Sequence, residues 1–193
     1  MYFKDIKMLQ RTKIVKVLAS ERPLDEVLVK GWVRTRRDAK DFSFIELNDG
    51  SCLKNIQIIA NNNLNNYEEV KKLTTGSSVA VGALVESKGG NQKYEVVAEE
   101  IKIYGFAPDD FPLQKKKHTD EYLRSIAHLR PRTNKYGAAF RIRSNLSYAV
   151  HKFFQERGFR YVHTPLITGS DCEGAGEMFR VTTLDMNNIP KTP

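Results

Sequence analysis

The 193-residue chain is long enough for one or two domains, and with 40% apolar and 28% charged residues it has the composition of a packed protein, not a disordered one. No apolar run approaches the ~20 residues of a membrane span. The first residues form no secretory signal, and Cys52 and Cys172 have no metal-site spacing with each other or with the four histidines. These features predict a reduced, cytoplasmic protein with no membrane partner. The net charge of +8 is uneven: residues 115–143 hold nine Lys/Arg against two Asp/Glu, and the flanking regions are nearly balanced. Such a cluster is either a polyanion contact or a solvated connector.

In chain order, Ile6, Leu9, Ile14, Val17 and Leu18 suggest a short helix over 6–18. The β-branched run from Val27 to Arg37 predicts a strand, with Gly31 at a bulge or tight bend. Phe42 to Asn48 alternates Phe42, Phe44 and Glu46 against Ser43, Ile45 and Leu47, and Asp49-Gly50 signals a turn. A third strand is expected over 55–59, a polar loop over 61–66 and a short helix over 67–73. A fourth strand follows over 78–86, a hairpin turn over 88–92 and a fifth strand over 94–104. Five short strands with a small helix between the third and fourth match the order of the OB-fold.

Residues 105–112 hold two prolines and two acids and predict a linker. Within the basic stretch, Pro131 cannot continue a helix. From Phe140, the spacing of Ile142, Leu146, Ala149, Val150, Phe153 and Phe154 predicts a helix that Gly158 ends. Strands are expected over 159–164 and 178–184, with a glycine-rich acidic loop over 168–177 between them. One helix and two strands cannot bury a core, so this second part is expected to be an incomplete domain.

An OB barrel binds single-stranded nucleic acid across strands 2 and 3, through aromatic stacking, cations and a few base-edge contacts. Phe44 and Gln57 lie on those strands, Glu95 begins strand 5, and Arg34, Arg36, Arg37 and Lys40 cluster at the end of strand 1. From the residues alone, core packing is the favoured reading of Phe44 and a solvated strand face that of Gln57 and Glu95, and a charged sheet edge is the alternative for the arginines. There is no phosphate-binding P-loop, and Gly174-Ala175-Gly176 is only part of a dinucleotide pattern.

Two stretches narrow this. Lys30 to Asp38 (KGWVRTRRD) with Phe42 to Ser51 (FSFIELNDGS) resembles the anticodon-binding OB domain of asparaginyl- and aspartyl-tRNA synthetases. Phe140 to Pro165, ending ERGFRYVHTP, is similar to motif 1 of class II synthetases. The wording of residues 127–133 (AHLRPRT) and 168–179 (TGSDCEGAGEMF) favours the asparaginyl family. The resemblance implies an all-β, five-stranded OB-fold barrel over 1–104 and a basic hinge over 105–135. Over 136–193 it implies the start of an α/β class II catalytic domain built on an antiparallel sheet.

The resemblance also implies roles. Phe44 would stack on the middle anticodon base, a uridine, Gln57 and Glu95 would read its edge, and Arg37 would contact a phosphate or base; Arg34 and Arg36, from the cluster at the end of strand 1, are expected to bind RNA beside it. Glu173, with Gly174 and Gly176, would form a loop closing on the amino acid, and Pro165 would lie in a homodimer interface. The partners implied are tRNA-Asn, L-asparagine, ATP and Mg²⁺. The later motifs that hold ATP are absent, so no catalytic residue is expected here and the chain is expected to be inactive alone. A non-discriminating aspartyl enzyme and a free-standing OB-fold tRNA-binding module are the alternatives.

Overall fold

The structure is a computed structural model that describes residues 10–22, 24, 26–86, 94–169, 174, 179 and 181–188, with the side chains of 83–86 left aside. The chain divides into two compact units, 1–144 and 145–193.

The first unit is a closed five-stranded barrel, as the strand pattern predicts. Its strands are β1 (Val27–Asp38), β2 (Phe42–Asn48), β3 (Ile56–Asn61), β4 (Ser78–Glu86) and β5 (Glu95–Gly105), and they close in the order β1-β2-β3-β5-β4. Only the β3/β5 pair is parallel. Period-two alternation builds the core: Ser43, Ile45 and Leu47 of β2 point inward and are fully buried, while Phe42, Phe44 and Glu46 point outward. Val29, Val33, Ile56, Ile58, Val79, Val81 and Val96 complete the interior. Each such side chain contributes roughly 1.5–3 kcal/mol by leaving water. The one polar group in this wall, the Ser43 hydroxyl, bonds to Asp38 at 2.7 Å and to the Tyr67 hydroxyl at 3.1 Å, so its burial carries no unpaired group.

Several expected boundaries move. Helix α1 spans only Ile14–Leu18; Arg11 bridges to Leu28 and the Thr12 N–H donates to the Leu28 carbonyl, so this backbone is tied to the barrel before the helix begins. Ile6 and Leu9 lie outside the described residues. Helix α2 is one turn, Tyr67–Val70, and Val70 and Leu73 plug the barrel. The expected hairpin turn at 88–92 lies outside the described residues.

The bulge in β1 falls between Val33 and Thr35, not at Gly31. Gly31 is needed for another reason: a Cβ there would stand 2.6 Å from the Asn48 carbonyl oxygen.

Beyond the barrel, the expected linker at 105–112 begins inside β5, which ends at Gly105; 106–112 forms no helix or strand, but Leu113 is buried and Phe111 packs over Gly76. Helix α3 (Asp120–Ser125) is capped by Thr119, and a single 3-10 turn spans Arg130–Arg132 with Pro131 near its start. Helix α4 runs Asn134–Glu156 and so begins six residues before Phe140. The sequence hides that first turn because its apolar stripe starts later; the Thr133 hydroxyl accepts the Tyr136 N–H and supplies the start.

In the second unit, α4 ends as its glycine predicts. Gly158 has φ +86°, its N–H reaches Gln155, and the Phe159 N–H reaches Phe154. Phe159 packs edge-on against Phe154 at 5.4 Å, completing a Schellman end. The expected strand over 159–164 is absent, as is a strand over the described part of 178–184. A strand exists only as part of a ladder, and these residues have no ladder partner among the described residues.

Candidate nucleic-acid interface

The outer face of the barrel gathers residues from four strands, and the β1 bulge decides which ones. Before the bulge, Val27, Val29 and Val33 point inward. Unbroken alternation would carry Thr35 and Arg37 inward too. With Arg34 as the extra residue, Thr35 pairs with Glu46 and Arg37 with Phe44, so both join the outward face of β2.

Two rows result. The first runs Arg37, Phe44, Ile59 and Val97 across β1, β2, β3 and β5, each residue the register partner of the next. Phe44 is half-buried, with the edge of Phe42 against it at 4.9 Å and the Arg37 guanidinium 5.4 Å from its ring centre. The second row is polar: Thr35, Glu46, Gln57 and Glu95. There the Gln57 side-chain amide donates to the Glu95 carboxylate at 2.6 Å, and Asn55 donates to Glu46 at 3.1 Å. A flat apolar ring with a cation at its rim and a hydrogen-bonding row alongside is suited to holding an unstacked base by face and edge.

Phe44, Gln57, Glu95 and Arg37 therefore converge. Arg36 and Arg34 do not join them. Arg36 points to the barrel end, where it donates to the Leu73 carbonyl at 3.1 Å and pairs with Asp38 at 2.6 Å. Arg34 bonds to the Arg132 carbonyl and to Asn134 and so ties the basic hinge to β1. Burial lowers the pKa of its guanidinium; Glu46 opposes this and Arg132 adds to it. Arg132 in turn lies over Trp32, 4.5 Å from the ring centre. Arg141 reaches the Gly50 carbonyl from α4, still within the first unit.

Sequence reasoning missed a groove of about 800 Å³ beside this face, lined by Trp32, Arg34, Glu46, Asn55, Lys115–Lys117 and Arg132 among others. The alternation of β2 already places Glu46 on the side of Phe44, but no sequence signal brings the hinge lysines opposite it.

Of the loop residues, Gly174 has φ +64°, a conformation suited to glycine, whereas Glu173 and Gly176 lie outside the described residues. Pro165 is exposed. Along α4 the apolar stripe is also exposed, with Leu146, Val150, Phe153 and Phe154 at 47–61%. No described helix is long and apolar enough to cross a membrane.

Comparison with known proteins matches residues 27–104 to the OB-fold nucleic acid binding domain and residues 119–189 to the tRNA synthetases class II (D, K and N). The chain is 63% identical over 178 residues to the asparagine–tRNA ligase of Oleidesulfovibrio alaskensis, covering 91% of this chain and 39% of that protein. It is 62% identical over 168 residues to that of Acetivibrio thermocellus, covering 86% and 36%. The chain thus spans about two fifths of the length of the curated relatives it matches. Among solved structures it resembles asparaginyl-tRNA synthetase from Pyrococcus horikoshii complexed with asparaginyl-adenylate, with TM-score 0.71 and 25% identity, covering 82% of this chain and 37% of that one.

Proposed function

Since the chain belongs to the asparaginyl-tRNA synthetase family, we propose that its barrel reads the anticodon of tRNA-Asn as part of an enzyme that joins L-asparagine to that tRNA. The observation that carries this reading is the convergence of Arg37, Phe44, Gln57 and Glu95 on one outer face. Phe44 stacks on the middle base, a uridine. Gln57 and Glu95 meet its Watson–Crick edge, and Arg37 holds the neighbouring phosphate or base. The organisation is a barrel over 1–104, a hinge over 105–135 and the beginning of the catalytic domain over 136–193. The hinge lies along the RNA backbone and supplies salt-dependent affinity without reading sequence.

In the same reading, Glu173, Gly174 and Gly176 form a loop that closes over the amino acid. The exposed stripe of α4, with Pro165, is covered by a second copy of the chain in a homodimer. The enzyme works in the cytoplasm. ATP supplies the adenylate, with Mg²⁺ on its phosphates. The described residues gather no group of three or more His, Cys, Asp or Glu side chains that could hold a metal ion, so this stretch assigns no ligand to Mg²⁺.

Binding of tRNA-Asn and tRNA-Asp transcripts to the chain tests the reading. Preference for tRNA-Asn supports it; equal binding favours a non-discriminating aspartyl-type barrel. ATP–pyrophosphate exchange by this chain alone is expected at background, and exchange above background would place an ATP site within these residues.

A further inference from the structure

A chain of side-chain hydrogen bonds runs from the turn after β2 to the polar row, and Asn48 sets its direction. Asn48 is the last residue of β2, and its amide fits in one orientation. Its Oδ1 accepts the Gly50 N–H at 2.8 Å. Its Nδ2 faces three acceptors: the carbonyls of Cys52 at 3.3 Å and Lys54 at 3.1 Å, and Asn55 Oδ1 at 3.0 Å. Turned over, the amide would set oxygen against oxygen and N–H against N–H. The turn carrying these partners is itself braced. Gly50 has φ +77°, the Asp49 carboxylate accepts the Ile14 N–H at 3.1 Å, and the Ser51 hydroxyl accepts the Val15 N–H at 3.0 Å. From α4, Arg141 donates to the Gly50 carbonyl.

This polarity passes outward. Because Asn55 Oδ1 accepts from Asn48, its Nδ2 turns to Glu46 Oε2 and donates there at 3.1 Å. Glu46 is the register partner of Gln57, and side chains so paired stand ~5 Å apart at Cβ. The Gln57 amide donates to Glu95 at 2.6 Å. Two carboxylates thus share the row with one amide. The tether through Asn48 and Asn55 holds the Glu46 carboxylate on Asn55, while Glu95 sets Gln57.

We propose that Asn48 is a positioning residue for discrimination at the middle anticodon base, acting through Asn55 on Glu46 and so on Gln57. The proposal deepens the anticodon reading above and rests on it. A Glu46 side chain released from Asn55 competes with Glu95 for the Gln57 amide and turns away the group that meets the base edge. Asn48→Asp changes almost no volume but reverses the chain. A carboxylate at that position only accepts, so Asn55 turns its Nδ2 toward it and its oxygen toward Glu46, which is repelled.

The test uses the whole chain and fluorescence anisotropy of a stem-loop with anticodon GUU and the same loop with its middle U changed to C. The readout is the ratio of the two affinities, which a charge change that weakens both loops alike leaves untouched. In Asn48→Asp the preference for U should fall about fivefold, the effect of roughly one hydrogen bond. In Asn48→Asp/Glu46→Gln it should recover most of that loss, because the new side-chain amide donates to the reversed Asn55 oxygen. A role of Asn48 in the turn alone would not be rescued by a change at Glu46. Asn55→Ala leaves the turn's own bonds in place and should lower the ratio to the same extent; it carries the test where a thermal melt shows Asn48→Asp unfolded. A wild-type ratio in either folded single variant overturns the proposal, as does a double variant no better than Asn48→Asp. Absence of any U preference in the wild-type protein overturns the anticodon reading itself, and this proposal with it.

Discussion

The Gln57 amide donates to the Glu95 carboxylate at 2.6 Å, across the one parallel strand pair of the barrel. Neither side chain can orient itself as well without the other, so in the proposed reading they would act on a base as a unit. Glu95→Ala is expected to reduce the preference for uridine over cytidine at the middle anticodon position about tenfold, near the ~1.4 kcal/mol of one good hydrogen bond. Affinity for a stem-loop with the wrong base should change little. Unchanged discrimination in Glu95→Ala would remove both residues from base reading.

Gly31 lies where two strands approach too closely for a side chain. Its Cβ would meet the Asn48 carbonyl oxygen at 2.6 Å and Leu47 at 3.2 Å. Because the nearer atom is backbone, β1 and β2 must separate to admit it. Gly31→Ala should therefore destabilise the barrel by ~1–3 kcal/mol, as overpacking does. A thermal melt reads this directly, and an unshifted Tm would contradict the close approach.

Asp49 gives the barrel an acid-sensitive joint. Its side chain is 1% exposed. Burial would raise its pKa, but bonds from the Ser51 hydroxyl and N–H, the Ile14 N–H and the nearby Arg11 outweigh burial and hold it below the ordinary carboxylate value. A depressed folded-state pKa contributes stability above the unfolded value, ~3.9, and that contribution is lost as pH falls through the lower folded value. Asp49→Asn should thus be less stable than wild type at pH 7, with the gap narrowing below about pH 4. A gap constant across that window would contradict the assignment.

Arg37 tests the consequence of the bulge. Its guanidinium is exposed and caps the Phe44 ring. Arg37→Ala should weaken stem-loop binding several-fold and lower the magnitude of the salt slope by about 0.7, the release from one single-strand phosphate. An identical slope would mean that Arg37 does not touch the backbone.

These relationships were unevenly legible in the sequence. The five strands, the grouping of Phe44 with Phe42 and Glu46 on one face of β2 and the glycine end of α4 follow from local signals: period-two alternation, a turn dipeptide and a glycine after an apolar stripe. That this face is the outer one does not, since core packing is the favoured reading of Phe44 from the residues alone. The resemblance carried Gln57 and Glu95. What sequence could not show is the phase of β1 after Val33. Alternation alone places Arg36 and Arg37 on faces opposite to those they occupy, and only the pairing to β2 shows the extra residue at Arg34. For the same reason the basic hinge read only as a charge cluster, either a polyanion contact or a solvated connector. Its attachment through Arg34, and the stacking of Arg132 on Trp32, join residues about a hundred positions apart. The strand expected at 159–164 failed differently: its β-branched and aromatic composition is real, but a ladder needs a partner.

The central claim is that Phe44 is a stacking platform for the middle anticodon base, and it can be tested by one measurement. Fluorescence anisotropy should compare a stem-loop with anticodon GUU and the same loop with its middle U changed to C, against wild-type protein and Phe44→Ala, at two salt concentrations. The account predicts tighter binding of the U loop by wild type, and a loss of ~1–3 kcal/mol in Phe44→Ala that abolishes the preference. Equal and strongly salt-dependent binding of both loops by both proteins would contradict it and leave the basic hinge as the only RNA contact.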